Sequence, residues 1–249
     1  MSDVPVPAGP ARAPNFFATT QWSLVLEARG TDESSRAALE TLCRTYWYPI
    51  YAFVRRRGAD THRAQDLTQE FFRRLLADDS ISTARQERGR FRTFLLGALK
   101  NFLANDWRDS QRLKRGGGTE TLAWESLEPE RRYALEPADG ETPESLFDRR
   151  WAHAVVQTAL TALGDEMRRE GTSDRFTALQ SFLQGGGDDT SYATTSAVLG
   201  LSVAATKSAI FRMRRRYGEL IREHIAQTVA TPAEIETEIQ YLITLLGRR

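Results

Sequence analysis

One cysteine, Cys43, and three scattered histidines, His62, His153 and His224, are all the sequence offers of the usual transition-metal ligands. A lone thiol excludes an internal disulfide and any multi-cysteine zinc or iron–sulfur site, and the histidine spacing argues against a His-rich cluster. No cofactor is expected. No apolar run approaches the ~20 residues that span a bilayer. The opening MSDVPVPAGPARAPNFF lacks the apolar core of a secretion signal. A cytoplasmic protein without a membrane partner is therefore expected. Strand signals are scarce, with no long period-2 alternation of β-branched residues. No Gly-x-x-x-x-Gly-Lys phosphate loop occurs. Net charge is also lacking: 34 Lys and Arg against 33 Asp and Glu leave +1, so overall charge points to no partner.

Helical spacing is what recurs, and it predicts an all-α protein. Leu39, Leu42, Tyr46, Ile50, Phe53 and Val54 form one stripe, interrupted by Pro49, which is expected to kink or split the helix. Leu67, Phe71, Leu75 and Leu76 form a second. Phe91, Phe94, Leu95, Ala98, Leu99, Phe102 and Leu103 form the clearest third. Residues 1–15, rich in Pro, Ala and Gly, read as a disordered tail. A first domain over 16–115 is followed by an acidic linker, 116–143. Nine acids against four bases give −5 over residues 116–150. A second domain over 144–228 opens with a helix from about Pro143 to Glu170, carrying Phe147, Trp151, Val155, Ala159 and Leu163 inward. The extension 229–249 begins with Thr231-Pro232-Ala233-Glu234, a capping box with proline at the first helical position. Its stripe of Ile235, Ile239, Leu242 and Leu246 must be buried on this chain or on a partner.

Charge is distributed unevenly. Residues 85–115 hold nine bases and three acids, +6, with Phe91, Phe94, Phe102 and Trp107 interleaved. Residues 203–224 hold six bases and two acids, +4. Two basic lobes in a neutral chain suit two contacts with a polyanion, although solvated helix faces carry the same pattern. Within the second lobe, 191–199, the turn Gly200-Leu201-Ser202 and a helix through Tyr217 follow helix-turn-helix logic. Gly200 takes the left-handed turn conformation and Ser202 caps. Thr195 and Thr206 stand where apolar packing is more usual, and a plain helical hairpin fits this stretch as well.

Several segments are familiar. Tyr46-Trp47-Tyr48-Pro49-Ile50-Tyr51, Ala64-Gln65-Asp66-Leu67-Thr68-Gln69-Glu70-Phe71-Phe72, Gly89-Arg90-Phe91-Arg92 and Lys100-Asn101-Phe102-Leu103 resemble domain two of the extracytoplasmic-function (ECF) sigma factors, in the sigma-70 family. Leu199-Gly200-Leu201-Ser202 and Arg212-Met213-Arg214-Arg215-Arg216-Tyr217 resemble their helix-turn-helix domain four. Both ends look like a subgroup with extensions. The resemblance implies a dissociable subunit that binds bacterial core RNA polymerase and promoter DNA. It further implies docking on polymerase through Asp66, Gln69, Glu70 and Arg73, spaced on one helix face. For the −10 element it points to Arg85, Lys100, Asn101, Asn105, Arg108 and Arg112, with amides on base edges and cations on phosphates. For the −35 element it points to Val203, Ala204, Lys207, Ser208, Phe211, Arg212 and Arg215. Trp107 is read as core, with base stacking as the alternative. Regulation by an anti-sigma protein or by the C-terminal helix fits the same picture.

Two other functions compete. A helix-turn-helix regulator working without polymerase would bind duplex DNA tightly by itself. A metal-dependent nuclease would use Asp66, Glu70 and Asp106, but no third carboxylate sits at a related spacing to the first two, and no enzyme is expected.

Overall fold

The computed structural model describes residues 27, 33–77, 90–112, 129–136, 140–184, 189–229 and 231–247. The 1–15 tail, the 82–89 loop with Arg85, and the side chain of Arg112 lie outside them. The described residues form helices and no strand. In chain order these are α1 Glu33–Arg56, α2 Thr61–Ala77, α3 Phe91–Arg112, the short α4 Pro129–Ala134, α5 Pro143–Arg169 and α6 Ser173–Leu179. A 3₁₀ turn Gln180–Gln184, α7 Asp189–Leu199, α8 Val203–Ala226 and α9 Ala233–Gly247 complete the order. No single described helix is long and apolar enough to cross a membrane.

Pro49 does not split α1, which runs through it as one element. A proline inside a helix forfeits one backbone hydrogen bond, about 3 kcal/mol. The loss is offset because Tyr46, Ile50, Tyr51 and Phe53, on both sides of Pro49, are fully buried. Phe91, Leu95, Leu99 and Phe102 of α3 pack into the same core, with Phe94, Ala98 and Leu103 partly buried against it. α5 starts as its sequence asks: Pro143 stands in the first turn, and the Thr142 hydroxyl accepts from the Ser145 N–H.

Two cores result, and two long helices belong to both. The larger gathers α1, α2 and α3 with Leu146, Phe147, Trp151, Ala152 and Val155 of α5, Ile225 of α8, and Leu242 and Leu245 of α9. The smaller holds Ala159 and Leu163 of α5, Leu179, Phe182 and Ala209, Ile210, Met213 and Leu220 of α8. Helix α5, 27 residues long, thus seats its first half on the first core and its second half on the other. The C-terminal stripe packs on its own chain, against α5 and α8, with Leu242 buried and Ile235, Ile239 and Leu246 half-buried.

The acidic stretch is likewise bound in where it is described. Glu130 takes Arg55 at 2.7 Å, Glu136 takes Arg149 at 3.0 Å, and Glu141 pairs with Arg149. Glu144 takes Lys100 at 2.8 Å, and Asp148 takes Arg92 at 2.7 Å.

Candidate nucleic-acid interface

On α2, Ala64, Leu67, Phe71, Phe72 and Leu75 turn inward, and the helix leaves Asp66 and Arg73 exposed and Gln69 and Glu70 half-buried. These four share one face, as their spacing requires. Glu70 is not a free carboxylate: Arg73 donates to both of its oxygens, at 2.6 and 2.7 Å, and Arg74 donates at 2.6 Å. Hydrogen bonds from Arg73, then from Arg74, hold its carboxyl pKa down at about 2. Asp66 is the exposed acid of the set.

On α3, Asn101, Asn105 and Arg108 stand exposed at i, i+4 and i+7, opposite the buried stripe. Arg108 donates to Asn105 Oδ1 at 3.1 Å. Lys100 is also exposed, yet its ammonium faces Glu144 of α5 and lowers that carboxyl's pKa. Trp107, expected as core, is instead 64% exposed. The reason is periodicity: the buried series Leu95, Leu99, Phe102 continues through Asp106 and leaves Trp107 about 100° further round. Trp107, Arg108 and Leu103 line a cleft of about 720 Å³ together with Arg57, Arg63 and Leu67. Asp106, half-buried in its wall, is paired with Arg63.

The helix-turn-helix stretch has the expected parts. α7 and α8 meet at 95°, within the usual range for the motif. Gly200 has φ +63°, and the Ser202 hydroxyl accepts from the Ala205 N–H at 3.1 Å. Thr206 is fully buried, as its place in the pattern demands, and a polar partner resolves the conflict. The Ser196 hydroxyl lies 2.9 Å from Thr206 Oγ1 and 2.7 Å from the Tyr192 carbonyl oxygen, so Thr206 donates to Ser196 and Ser196 to the carbonyl. Sequence reasoning had no use for Ser196; its i+10 relation to Thr206 across the turn is the only signal.

Val203, Ala204, Lys207, Ser208, Phe211, Arg212 and Arg215 all lie on the exposed face of α8, opposite Ala209, Ile210 and Met213. Phe211 is 68% exposed. The Lys207 ammonium sits 4.9 Å from the Tyr192 ring centre, and Arg215 donates to Glu219 at 3.1 Å. Two neighbours turn inward: Arg214 donates to the Phe182 carbonyl at 2.7 Å, and Arg216 donates to Glu166 of α5 at 2.7 and 2.9 Å.

Arg90 and Arg92, counted in the basic lobe of residues 85–115, turn to carboxylates of their own chain. Arg92 is 8% exposed and Glu238 of α9 is fully buried. Arg92 Nε donates to Glu238 Oε1 at 2.6 Å and Nη1 to Asp148 at 2.7 Å, while Arg90 reaches Glu238 Oε2 at 3.0 Å. The Arg92 guanidinium lies 4.4 Å from the Tyr241 ring centre and 5.0 Å from that of Trp151. The Tyr241 hydroxyl donates to Asp148 at 2.8 Å. Glu238 was missed although it falls on the apolar stripe of its helix, three residues after Ile235 and four before Leu242. A carboxylate in such a place requires a cation.

Comparison with known proteins agrees with this layout. The sigma-70 region 2 family matches residues 42–113, from within α1 to just past α3. The ECF RNA polymerase sigma factor SigE of Mycolicibacterium smegmatis is 26% identical over 204 residues, covering 82% of this chain and 69% of that protein. Residues 42–113 thus match sigma-70 region 2, and most of the chain is similar to an ECF sigma factor. The region 2 match spans most of α1 with α2 and α3, and so takes in the polar faces of Asp66 on α2 and of Asn101 and Asn105 on α3, while α8 lies outside it. No solved structure gives a significant match. Among the described residues, no group of three or more His, Cys, Asp or Glu side chains is placed to hold a metal ion.

Proposed function

We propose that this chain binds core RNA polymerase and directs it to promoters in the bacterial cytoplasm, initiating transcription. The observation that carries the reading is the region 2 match itself, laid on a folded unit with a polar α2 face and an amide-and-cation α3 face. Domain two, 16–115, does the polymerase docking and −10 recognition, and domain four, 144–228, reads the −35 element. On α2, Asp66 and Gln69 meet the polymerase, with Glu70 and Arg73 prearranged beside them. A fixed set of carboxylates and amides suits an Arg-rich partner, where charge-assisted bonds are strong.

On α3, Asn101 and Asn105 read base edges while Arg108, Lys100, Arg85 and Arg112 hold phosphates. The exposed Trp107 ring, with Arg57, Arg63 and Arg108 lining the same cleft, offers a stacking surface for an unpaired base. On α8, Lys207 and Ser208 face the groove and Arg212 and Arg215 the backbone.

The C-terminal helix restrains these surfaces. Through Glu238 it holds Arg90 and Arg92 at the start of α3, and the Phe91 N–H donates to the Thr228 carbonyl at 3.0 Å. Co-elution of the purified protein with core polymerase, followed by transcription from a cognate promoter, tests the whole reading. Asp66→Ala is expected to weaken core binding roughly tenfold with no change in thermal stability. Absence of core binding by the wild type would refute the function; unaltered affinity in the variant would refute only the docking face.

A further inference from the structure

Away from these surfaces, a groove of about 580 Å³ runs between α1 and α5, with α4 contributing to its wall. Its lining includes Arg44, Arg132, Arg150, His153, Gln157 and Thr158, and no carboxylate. The acid behind it, Glu136, is already engaged: its Oε1 accepts from the Tyr48 hydroxyl at 2.7 Å, and its Oε2 is shared by Arg149 and Arg150. Arg149 is further taken by Glu141. Arg132 has no carboxylate partner among the described residues; its guanidinium lies over the Tyr48 ring, 3.9 Å from the centre. Arg150 Nε is buried without a hydrogen-bond partner there. Arg44, at the rim, pairs with Glu40. The groove also faces away from α3. Tyr46, whose ring packs on Phe91 at 5.3 Å, precedes Tyr48 by two residues, about 200° round the helix.

Two guanidiniums with spare donors, an imidazole, an amide and a hydroxyl, in a concavity of small-molecule size, form a recognition set for a tetrahedral oxyanion. We infer that this groove binds a small soluble phosphoanion, its oxygens held by Arg132 and Arg150 with Arg44 at the mouth. The site is independent of promoter recognition and goes beyond the sigma reading. The cations of the groove bear on His153: partial burial, then Arg150 and Arg149, depress its imidazole pKa, with Arg132 adding to them and Glu136 opposing. An anion seated there reverses that field.

The test uses the full chain and the His153 ring resonances, assigned with His153→Gln, titrated in the presence of inorganic pyrophosphate. The pKa of His153 should rise by about one pH unit and saturate with ligand. Arg132→Gln should weaken that response roughly tenfold, and Arg44→Gln, at the exposed rim, roughly threefold. The inference is overturned if no rise occurs, or if sodium chloride of equal ionic strength reproduces it. It is also overturned if a short DNA duplex produces the rise at lower concentration than pyrophosphate, which would assign the groove to nucleic acid. Should Arg132→Gln fail to fold, a wild-type response in Arg44→Gln overturns the assignment by itself.

Discussion

Replacing Glu238 by glutamine perturbs one atom position and three segments of chain. The carboxylate accepts from Arg92 at 2.6 Å and from Arg90 at 3.0 Å, and it is fully buried. Glutamine keeps one acceptor oxygen but turns an NH₂ group toward a guanidinium, and Arg92 loses half of its counter-charge. Breaking a buried pair typically costs 3–5 kcal/mol. Arg92 retains Asp148 at 2.7 Å and the Tyr241 and Trp151 ring faces, so the low end applies, about 3 kcal/mol. For a chain of this length that is a Tm lower by roughly 6–12 °C, measurable by circular dichroism or urea unfolding. The double variant Arg92→Met with Glu238→Met removes both charges and should be less destabilised than Glu238→Gln. A loss under about 1 kcal/mol for Glu238→Gln would show that water screens the pair, and the account of how α9 is held would fail.

His224 is buried, and burial lowers its pKa to about 4 from 6.5. The unfolded chain therefore takes up a proton that the folded chain refuses, so stability is full above pH 6.5 and declines as the pH falls toward 4. The loss should reach about 2 kcal/mol at pH 5, and His224→Phe should flatten that slope in urea unfolding series. Ser196→Ala strands the Thr206 hydroxyl and should cost about 1–3 kcal/mol, whereas Ser196→Ala with Thr206→Val should come close to wild type; equal losses would deny the shared hydrogen bond. Lys207→Ala and Arg212→Ala should each reduce the salt dependence of −35 duplex binding by holoenzyme by about one unit of log–log slope. Asn101→Ala should relax base preference at the −10 element while leaving that slope unchanged.

The helices were legible because burial imposes period, and the period survives in Phe91, Leu95, Leu99 and Phe102 and in Leu67, Phe71 and Leu75. The cap at Ser202 and the left-handed Gly200 were legible because they are local. Of the two outcomes expected at Pro49, a kink or a split, the split does not occur, because the core closes over both sides of it. Trp107 was misplaced by treating an aromatic as a core residue without following the stripe one turn further. The Arg92–Glu238 pair was beyond reach, since the partners are 146 residues apart and composition shows only a basic run and the last of three alternating acids, Glu234, Glu236 and Glu238. The exposed faces of α2, α3 and α8 matched their spacing, whereas Glu70, Lys100 and Arg215 carry internal partners that spacing alone does not reveal.

Those internal partners bear on how such a protein uses DNA. Of the described cations from Arg90 to Arg108, Arg90, Arg92 and Lys100 are met by carboxylates from α5 or α9, and Arg108 leans on Asn105. Within α8, Arg215, Arg216 and Arg222 are met by acids and Arg214 by a carbonyl, while the Lys207 ammonium lies over the Tyr192 ring. Phosphate neutralisation drives sequence-independent affinity in proportion to the charges released to it. Because the described cations of both lobes are largely met from within, we expect them to add little to affinity for duplex DNA alone, the opposite of what an autonomous helix-turn-helix regulator requires. We expect exchange of Glu144 for phosphate at the exposed Lys100 to become favourable once a partner positions the DNA, because the encounter is then intramolecular and the local phosphate concentration is high.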